Sequence, residues 1–341
     1  MHKLIQLIKT INKTHKRLGP MIVTNLLCAK AKRTILNVSP AGCGKSASTD
    51  VVNALLKEQA TKYTSLTLAG MTRIADKLTE FSGHLIIDDL GSEKSIWSRT
   101  STITVLATLV HTHNIHKITQ TSEIMITNFQ GSAALNIQPV LLNSLVQDED
   151  WIAVIRDKVL RYYHLIRPVE PKAYIPTPKF EWGTPFAEVR PPKHYGKLWY
   201  QLITEGLTQW SYARCIEHIP ALLKASAALD NRYHVEQADY QLLIKLLKPM
   251  QLERYILTSY GFEYGRTFQN DTYCLLVELA SHGEPSVETI CEDYKVSPST
   301  VERLVLSSPD WCYVKSNSPK KICAKEQTQK ILNLIGVNQK W

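Results

Sequence analysis

The chain has 341 residues, 44% hydrophobic and 21% charged. That balance excludes a chain too polar to fold and allows two or three domains around a sizeable core. A net charge of +9 favours an anionic partner, nucleic acid first. No apolar run approaches the roughly 20 residues of a membrane span, and the amino terminus lacks the apolar stretch of a secretory leader. Seven cysteines are scattered with no CxxC pair, which argues against a zinc site. Their odd number suggests reduced thiols in a cytoplasmic compartment.

Residues 3–17 read as a basic amphipathic helix, with Leu4, Ile5, Leu7, Ile8 and Ile11 at helical spacing. Residues 1–44 carry eight Lys/Arg and no acid. A glycine-rich loop follows too closely for this segment to be a removable leader, so it is read as retained. From residue 34 to 167 short apolar runs alternate with helical patterns. The strand candidates are Thr34–Val38, Ser65–Ala69, His84–Asp88 and Glu123–Thr127. Such alternation predicts a parallel sheet flanked by helices. Seven of the 16 prolines then fall between Pro168 and Pro192, which marks an extended connector. Residues 196–250 read as helical, and 270–337 as a last compact unit.

The run Ser39-Pro40-Ala41-Gly42-Cys43-Gly44-Lys45-Ser46-Ala47 lies between the first strand and a helix. Small residues let backbone N–H groups close around phosphate oxygens. Lys45 is placed to meet the β- and γ-phosphates of ATP, and Ser46 to bind Mg²⁺ at the helix start. Ser39 stands where the motif has Gly. Cys43 lies inside the loop, where oxidation would block binding. Forty-three residues after Lys45, the strand His84-Leu85-Ile86-Ile87 ends in Asp88-Asp89. Asp88 is expected in the Mg²⁺ shell, and Asp89 to orient or deprotonate the attacking water.

The stretch Arg214–Leu229 is rich in Leu and Ala and is followed by Arg232-Tyr233-His234-Val235-Glu236. With the phosphate loop and the acidic pair, this resembles AAA+ ATPases over roughly residues 20–250. The lid is similar to that of minichromosome-maintenance and MoxR-type proteins. The resemblance implies that Asn128, at the tip of Glu123–Thr127, is the sensor 1 residue, and that Arg214 is a sensor 2 arginine reaching the γ-phosphate. It also implies an arginine finger given to a neighbouring subunit. Arg156 and Arg161, on a helix expected over Trp151–Arg161, are the candidates.

Residues 271–281, Ser286–Tyr294 and Ser299–Leu306 read as three helices with helix-turn-helix spacing. Two short strands follow, Trp311–Lys315 and Ile322–Ala324, as in a winged helix. Residues 315–341 hold six lysines against one acid, Glu326. Ser299, Thr300, Arg303, Lys315, Lys320 and Lys321 are the candidate DNA contacts, mostly to phosphate.

The expected architecture is α/β: a basic N-terminal helix (1–19), an AAA+ P-loop core with a parallel sheet (20–167), a connector (168–195), a helical lid (196–262) and a winged helix-turn-helix domain (263–341). The implied activity is ATP hydrolysis with Mg²⁺ on DNA, as a replication initiator, helicase loader or helicase-like motor. A homo-oligomeric ring or filament and other replication proteins are the implied partners, with no membrane. A MoxR-type protein-remodelling ATPase and an ATP-switched DNA-binding regulator are the alternatives.

Overall fold

The computed structural model describes the chain except residues 1, 16, 91–94, 119–122, 147–150, 152–154, 168–177, 254–274, 317 and 338. Five strands form one parallel sheet: β1 (Thr34–Val38), β2 (Ala60–Tyr63), β3 (His84–Ile87), β6 (Ser132–Ile137) and β7 (Val159–Tyr163). Their order is β2-β3-β6-β1-β7. Every residue of β1, β3, β6 and β7 is buried, as a parallel sheet covered on both faces requires.

Side chains alternate between two apolar clusters. Leu36, Val38, Leu85, Ile87, Ala133 and Leu135 face one, and Ile35, Ile86, Ala134, Leu160 and Tyr162 the other. The first face carries α5 (Ala75–Leu78), α6 (Ile96–Thr112) and α7 (Pro139–Leu145) among its helices. The second carries α1 (Lys3–Thr14), α2 (Gly19–Lys30), α3 (Lys45–Leu56), α9 (Gly196–Gly206), α10 (Tyr212–Leu229) and α11 (Gln237–Leu247).

The basic N-terminal helix is therefore part of the core. Leu4, Leu7, Ile8 and Ile11 of α1 are buried, each contributing about 1.5–3 kcal/mol relative to exposure. His2 extends the tie, with Nε2 2.9 Å from Asp239 and 3.1 Å from Ser226. Helices α9–α11, expected as a lid, share this core with α1 and α2. The end of the expected lid, 254–262, lies outside the described residues.

Two strands differ from expectation. The second is Ala60–Tyr63, not Ser65–Ala69. Thr67 instead caps a helix, α4 (Leu68–Arg73), its hydroxyl accepting from the Gly70 N–H. Glu123–Ile126 is β5, but it pairs antiparallel with β4 (Ile115–Ile118) in a separate two-stranded sheet. Its residues alternate exposed and buried. A strand with one wet face does not suit the middle of a sheet covered on both sides. The strand between β3 and β1 is β6, whose small residues Ala133 and Ala134 fit that crowded position.

The C-terminal part of the chain forms α12 (residues 275–282), α13 (Val287–Tyr294) and α14 (Pro298–Leu306). The antiparallel pair β8 (Cys312–Lys315) and β9 (Lys321–Ala324) and a closing helix, α15 (Glu326–Leu334), follow. Ser286 and Ser297 cap α13 and α14 by accepting from Thr289 and Thr300 N–H groups. Leu275, Leu276, Val301 and Ile331 belong to the same apolar cluster as the first sheet face. Arg17 donates to the Ala280 carbonyl at 3.0 Å. Among the described residues no helix is long and apolar enough to cross a membrane.

Candidate functional site

In a parallel sheet of this kind, ligands bind beyond the carboxyl ends of the strands. The phosphate loop leaves the carboxyl end of β1 there. Gly42 and Gly44 take φ of 73° and 80°, a left-handed region that side chains rarely adopt. Gly44 turns the chain into α3, whose first turn has neither a side-chain cap nor an acid. Its first N–H groups thus have no side-chain cap, the arrangement that suits an anion.

Lys45 Nζ donates to the carbonyls of Ser39 (2.5 Å) and Pro40 (2.9 Å). Burial lowers its pKa, with Cys43, Asp89 and Asp88 acting against that shift. Ser46 is exposed beside it. Cys43 is fully buried, and burial pushes its thiol up to about 11. A thiol so placed is a poor target for oxidation, which requires thiolate and access. The redox sensitivity raised by its position is not supported.

Asp88 follows β3 and is held from three sides. Asn136, near the end of β6, donates to it at 2.8 Å. Thr49, one turn into α3, donates at 3.1 Å, and Lys62 of β2 pairs with it at 3.1 Å. Burial alone would raise the Asp88 pKa, but Lys62, Asn136 and Thr49 outweigh it and the net shift is downward. Behind Asn136 runs a buried amide chain: Asn37 donates to Asn136 at 3.0 Å, and Asn25 to Asn37 at 2.9 Å. The amides lock the side chain that meets Asp88. Asp89 is exposed, its backbone N–H bound to the Thr64 carbonyl at 2.9 Å.

Asn136, Thr49 and Lys62 were not singled out in the sequence. Asn136 is the polar residue near the tip of the strand between β3 and β1, the place expected of Asn128. Asn128 follows the β4–β5 hairpin, and its backbone N–H binds Asn114 Oδ1 at 2.9 Å. The signal missed was Asn136 closing the run Ser132–Ile137, hidden by low strand propensity in Ser-Ala-Ala.

The arginines depart further from expectation. Arg161 lies on β7, not a helix, and is 1% exposed. It makes a bidentate pair with Glu253, at 2.5 and 2.9 Å, which Tyr163 joins at 2.8 Å. A side chain committed in this way cannot extend to a neighbour. Arg156 is exposed and opens a single helical turn, α8 (Arg156–Lys158), just before β7. Arg214 pairs with Glu217 at 2.6 Å, and Glu217 also pairs with Arg33 at 3.3 Å. Arg33 immediately precedes β1, so this cluster sits at the amino ends of the strands. The phosphate loop is at the carboxyl end, a five-residue strand away, or roughly 16 Å. Arg214 therefore does not reach the phosphate loop of its own chain.

In the C-terminal unit Ser299, Arg303, Lys315 and Lys321 are exposed and Thr300 is half-buried. Lys320 is exposed but paired with Glu302 at 2.6 Å.

Neither a family model nor a curated protein matches the chain. Among solved structures, a full-length MCM homolog from Methanopyrus kandleri is similar over 72% of this chain and 57% of its own, at 12% identity and a TM-score of 0.39. The A-form apo C-terminal region of NrS-1 is similar over 94% of this chain and 74% of its own, at 11% identity and a TM-score of 0.26. The chain thus spans just over half the length of the MCM homolog. Likeness at this level carries no argument beyond the strands and helices described above.

Proposed function

We propose that the chain is an AAA+-type ATPase that acts on DNA, and that its nucleotide sits between the phosphate loop and the Asp88–Asn136 pair. One observation carries this reading. Asp88, just after β3, accepts from Asn136 of β6 at 2.8 Å and from Thr49, on the helix that the phosphate loop opens, at 3.1 Å. Mg²⁺·ATP would supply the electrophilic phosphorus and the charge that the site is shaped to balance. The backbone N–H groups of residues 41–47 hold phosphate oxygens, and Pro40, which has no N–H, shapes the loop. Lys45 leaves its two carbonyls for the β- and γ-phosphates, and Ser46 and Asp88 hold the metal. Asp89 orients the attacking water and accepts its proton. Asn136, rather than Asn128, takes the sensor 1 role, fixed by the amide chain behind it.

Arg156 is the remaining candidate finger, acting on a neighbour's nucleotide within a homo-oligomer. Arg161 is committed to Glu253. If Arg214 touches a nucleotide, it is also a neighbour's. DNA is read as meeting the C-terminal winged helix through Arg303, Lys315 and Lys321, with Ser299 and Thr300 beside them. A replication role, and partners among replication proteins, follow from the sequence resemblance.

The experiment is the ATPase rate of the purified chain with and without single- and double-stranded DNA, beside Lys45→Ala. Turnover that DNA stimulates and Lys45→Ala abolishes is expected. Turnover indifferent to DNA, with no DNA binding, favours protein remodelling. ATP-dependent DNA binding with little turnover favours the regulator.

A further inference from the structure

We infer that Glu278, His282 and Asp293 form a binding site for a zinc-class divalent cation in the C-terminal unit, away from the phosphate loop. Glu278 and His282 stand one turn apart on one face of α12, and Asp293 comes from the last turn of α13. One donor atom of each lies within 4.8 Å of the other two.

The spacing fits a metal better than it fits hydrogen bonds. His282 Nε2 is 3.5 Å from Glu278 Oε2 and 3.6 Å from Asp293 Oδ2. Charge-assisted hydrogen bonds close to about 2.7–2.9 Å. Two ligands bound tetrahedrally at about 2.0–2.1 Å stand roughly 3.3–3.4 Å apart, close to the separations found here.

A second observation concerns Glu278 itself, which is 1% exposed. Its Oε1 is taken: Arg167 pairs with it at 2.8 Å and the Tyr294 hydroxyl donates at 3.0 Å. Its Oε2 is buried and accepts no hydrogen bond, and it is turned toward His282 and Asp293. A buried carboxylate oxygen without a donor costs free energy unless a cation meets it. Arg167 and Tyr294 hold the other oxygen in the way that outer partners orient a ligating carboxylate. Arg167 also lies 3.6 Å from Asp293, so its charge offsets one of the two carboxylates. With a neutral imidazole, one surplus negative charge is left for the cation. His282 and Asp293 are partly exposed, which leaves an entry path and an open coordination position. The mixed nitrogen and carboxylate set suits Zn²⁺ over Mg²⁺, which prefers all-oxygen octahedra. The bound ion would clamp α12 to α13 beside Arg167, whose N–H also donates to Ser281.

Zn²⁺ titrated calorimetrically into chelator-treated full-length protein, without nucleotide, tests the site. One saturable site is expected. His282→Gln and Asp293→Asn, both at partly exposed positions, should each weaken it by at least about tenfold while the circular dichroism of the metal-free protein is unchanged. Co²⁺ in place of Zn²⁺ should give visible absorption of low-coordinate cobalt without a near-ultraviolet sulfur band, because no cysteine takes part. Absence of saturable binding, binding that neither substitution affects, or a sulfur-to-cobalt band would each overturn the assignment.

Discussion

Asn136 donates to Asp88 across 2.8 Å, joining the ends of two parallel strands that lie side by side in the sheet, although the two residues are 48 apart in sequence. Asn37 holds Asn136 from behind at 3.0 Å. Asn136→Ala should therefore retain ATP binding and lower the hydrolysis rate by about 10²-fold, the scale for one positioned donor. Asn128→Ala should hydrolyse at the parent rate. Steady-state rates of the two variants decide between them, and the reverse result would return the role to the hairpin.

The two acids after β3 should separate by function. Asp89→Asn should bind Mg²⁺·ATP and fail to turn it over, since the water-orienting carboxylate is lost while Asp88 survives. Asp88→Ala should weaken binding only when Mg²⁺ is present. Fluorescent-nucleotide binding with and without Mg²⁺ measures both. Equal turnover by the two variants and the parent would make these acids structural.

Arg161 and Arg156 should differ in kind. Arg161→Ala leaves Glu253 buried without its partner, an uncompensated charge costing about 3–5 kcal/mol. Chemical denaturation should show that loss, and Arg161→Met with Glu253→Leu should recover most of it. Arg156→Ala should be as stable as the parent. If Arg156 serves a neighbour, mixing its inactive variant with inactive Lys45→Ala restores activity above the sum of the two. A purely additive mixture argues for a monomer.

Stability should fall as pH drops below the ordinary imidazole range. Burial depresses the pKa of His84 to about 3 and of His164 and His218 to about 4. Near pH 5 the unfolded chain binds protons at these sites and the folded chain does not, so protonation favours unfolding. The contribution is whole above the unfolded value near 6.5 and shrinks down to the folded values. Thermal midpoints between pH 7 and 4 should decline, with a shallower decline in His84→Gln. An unchanged slope in that variant would show that His84 does not titrate in this way.

DNA affinity should depend on salt through the lysines of the β8–β9 turn. Lys315→Gln and Lys321→Gln should each reduce the slope of log affinity against log salt by about 1. Lys320→Gln should reduce it less, because Glu302 already neutralises that ammonium. A slope untouched by all three would move the DNA contact elsewhere on this basic chain.

The sequence by itself determined the local pieces. The loop Ser39–Gly44 before a helix and the acids closing His84–Ile87 are set by nearest-neighbour backbone chemistry, which a window of ten residues contains. Only the tertiary structure decided which strand lies between β3 and β1. Glu123–Ile126 has the stronger strand composition, but its one wet face sends it into a hairpin, and small residues buried on both sides give the place to Ser132–Ile137. The same holds for the charges. A sequence window cannot tell an arginine that a distant carboxylate captures from one left at the surface. Glu253, 92 residues on, takes Arg161 into the core, while Arg156 stays exposed. Glu217, Arg33 and Arg214 gather at the amino ends of the strands, where α10 meets His111 of α6. Pairing over such distances is set by how the helices cover the sheet, and that depends on the summed burial of side chains from the whole chain.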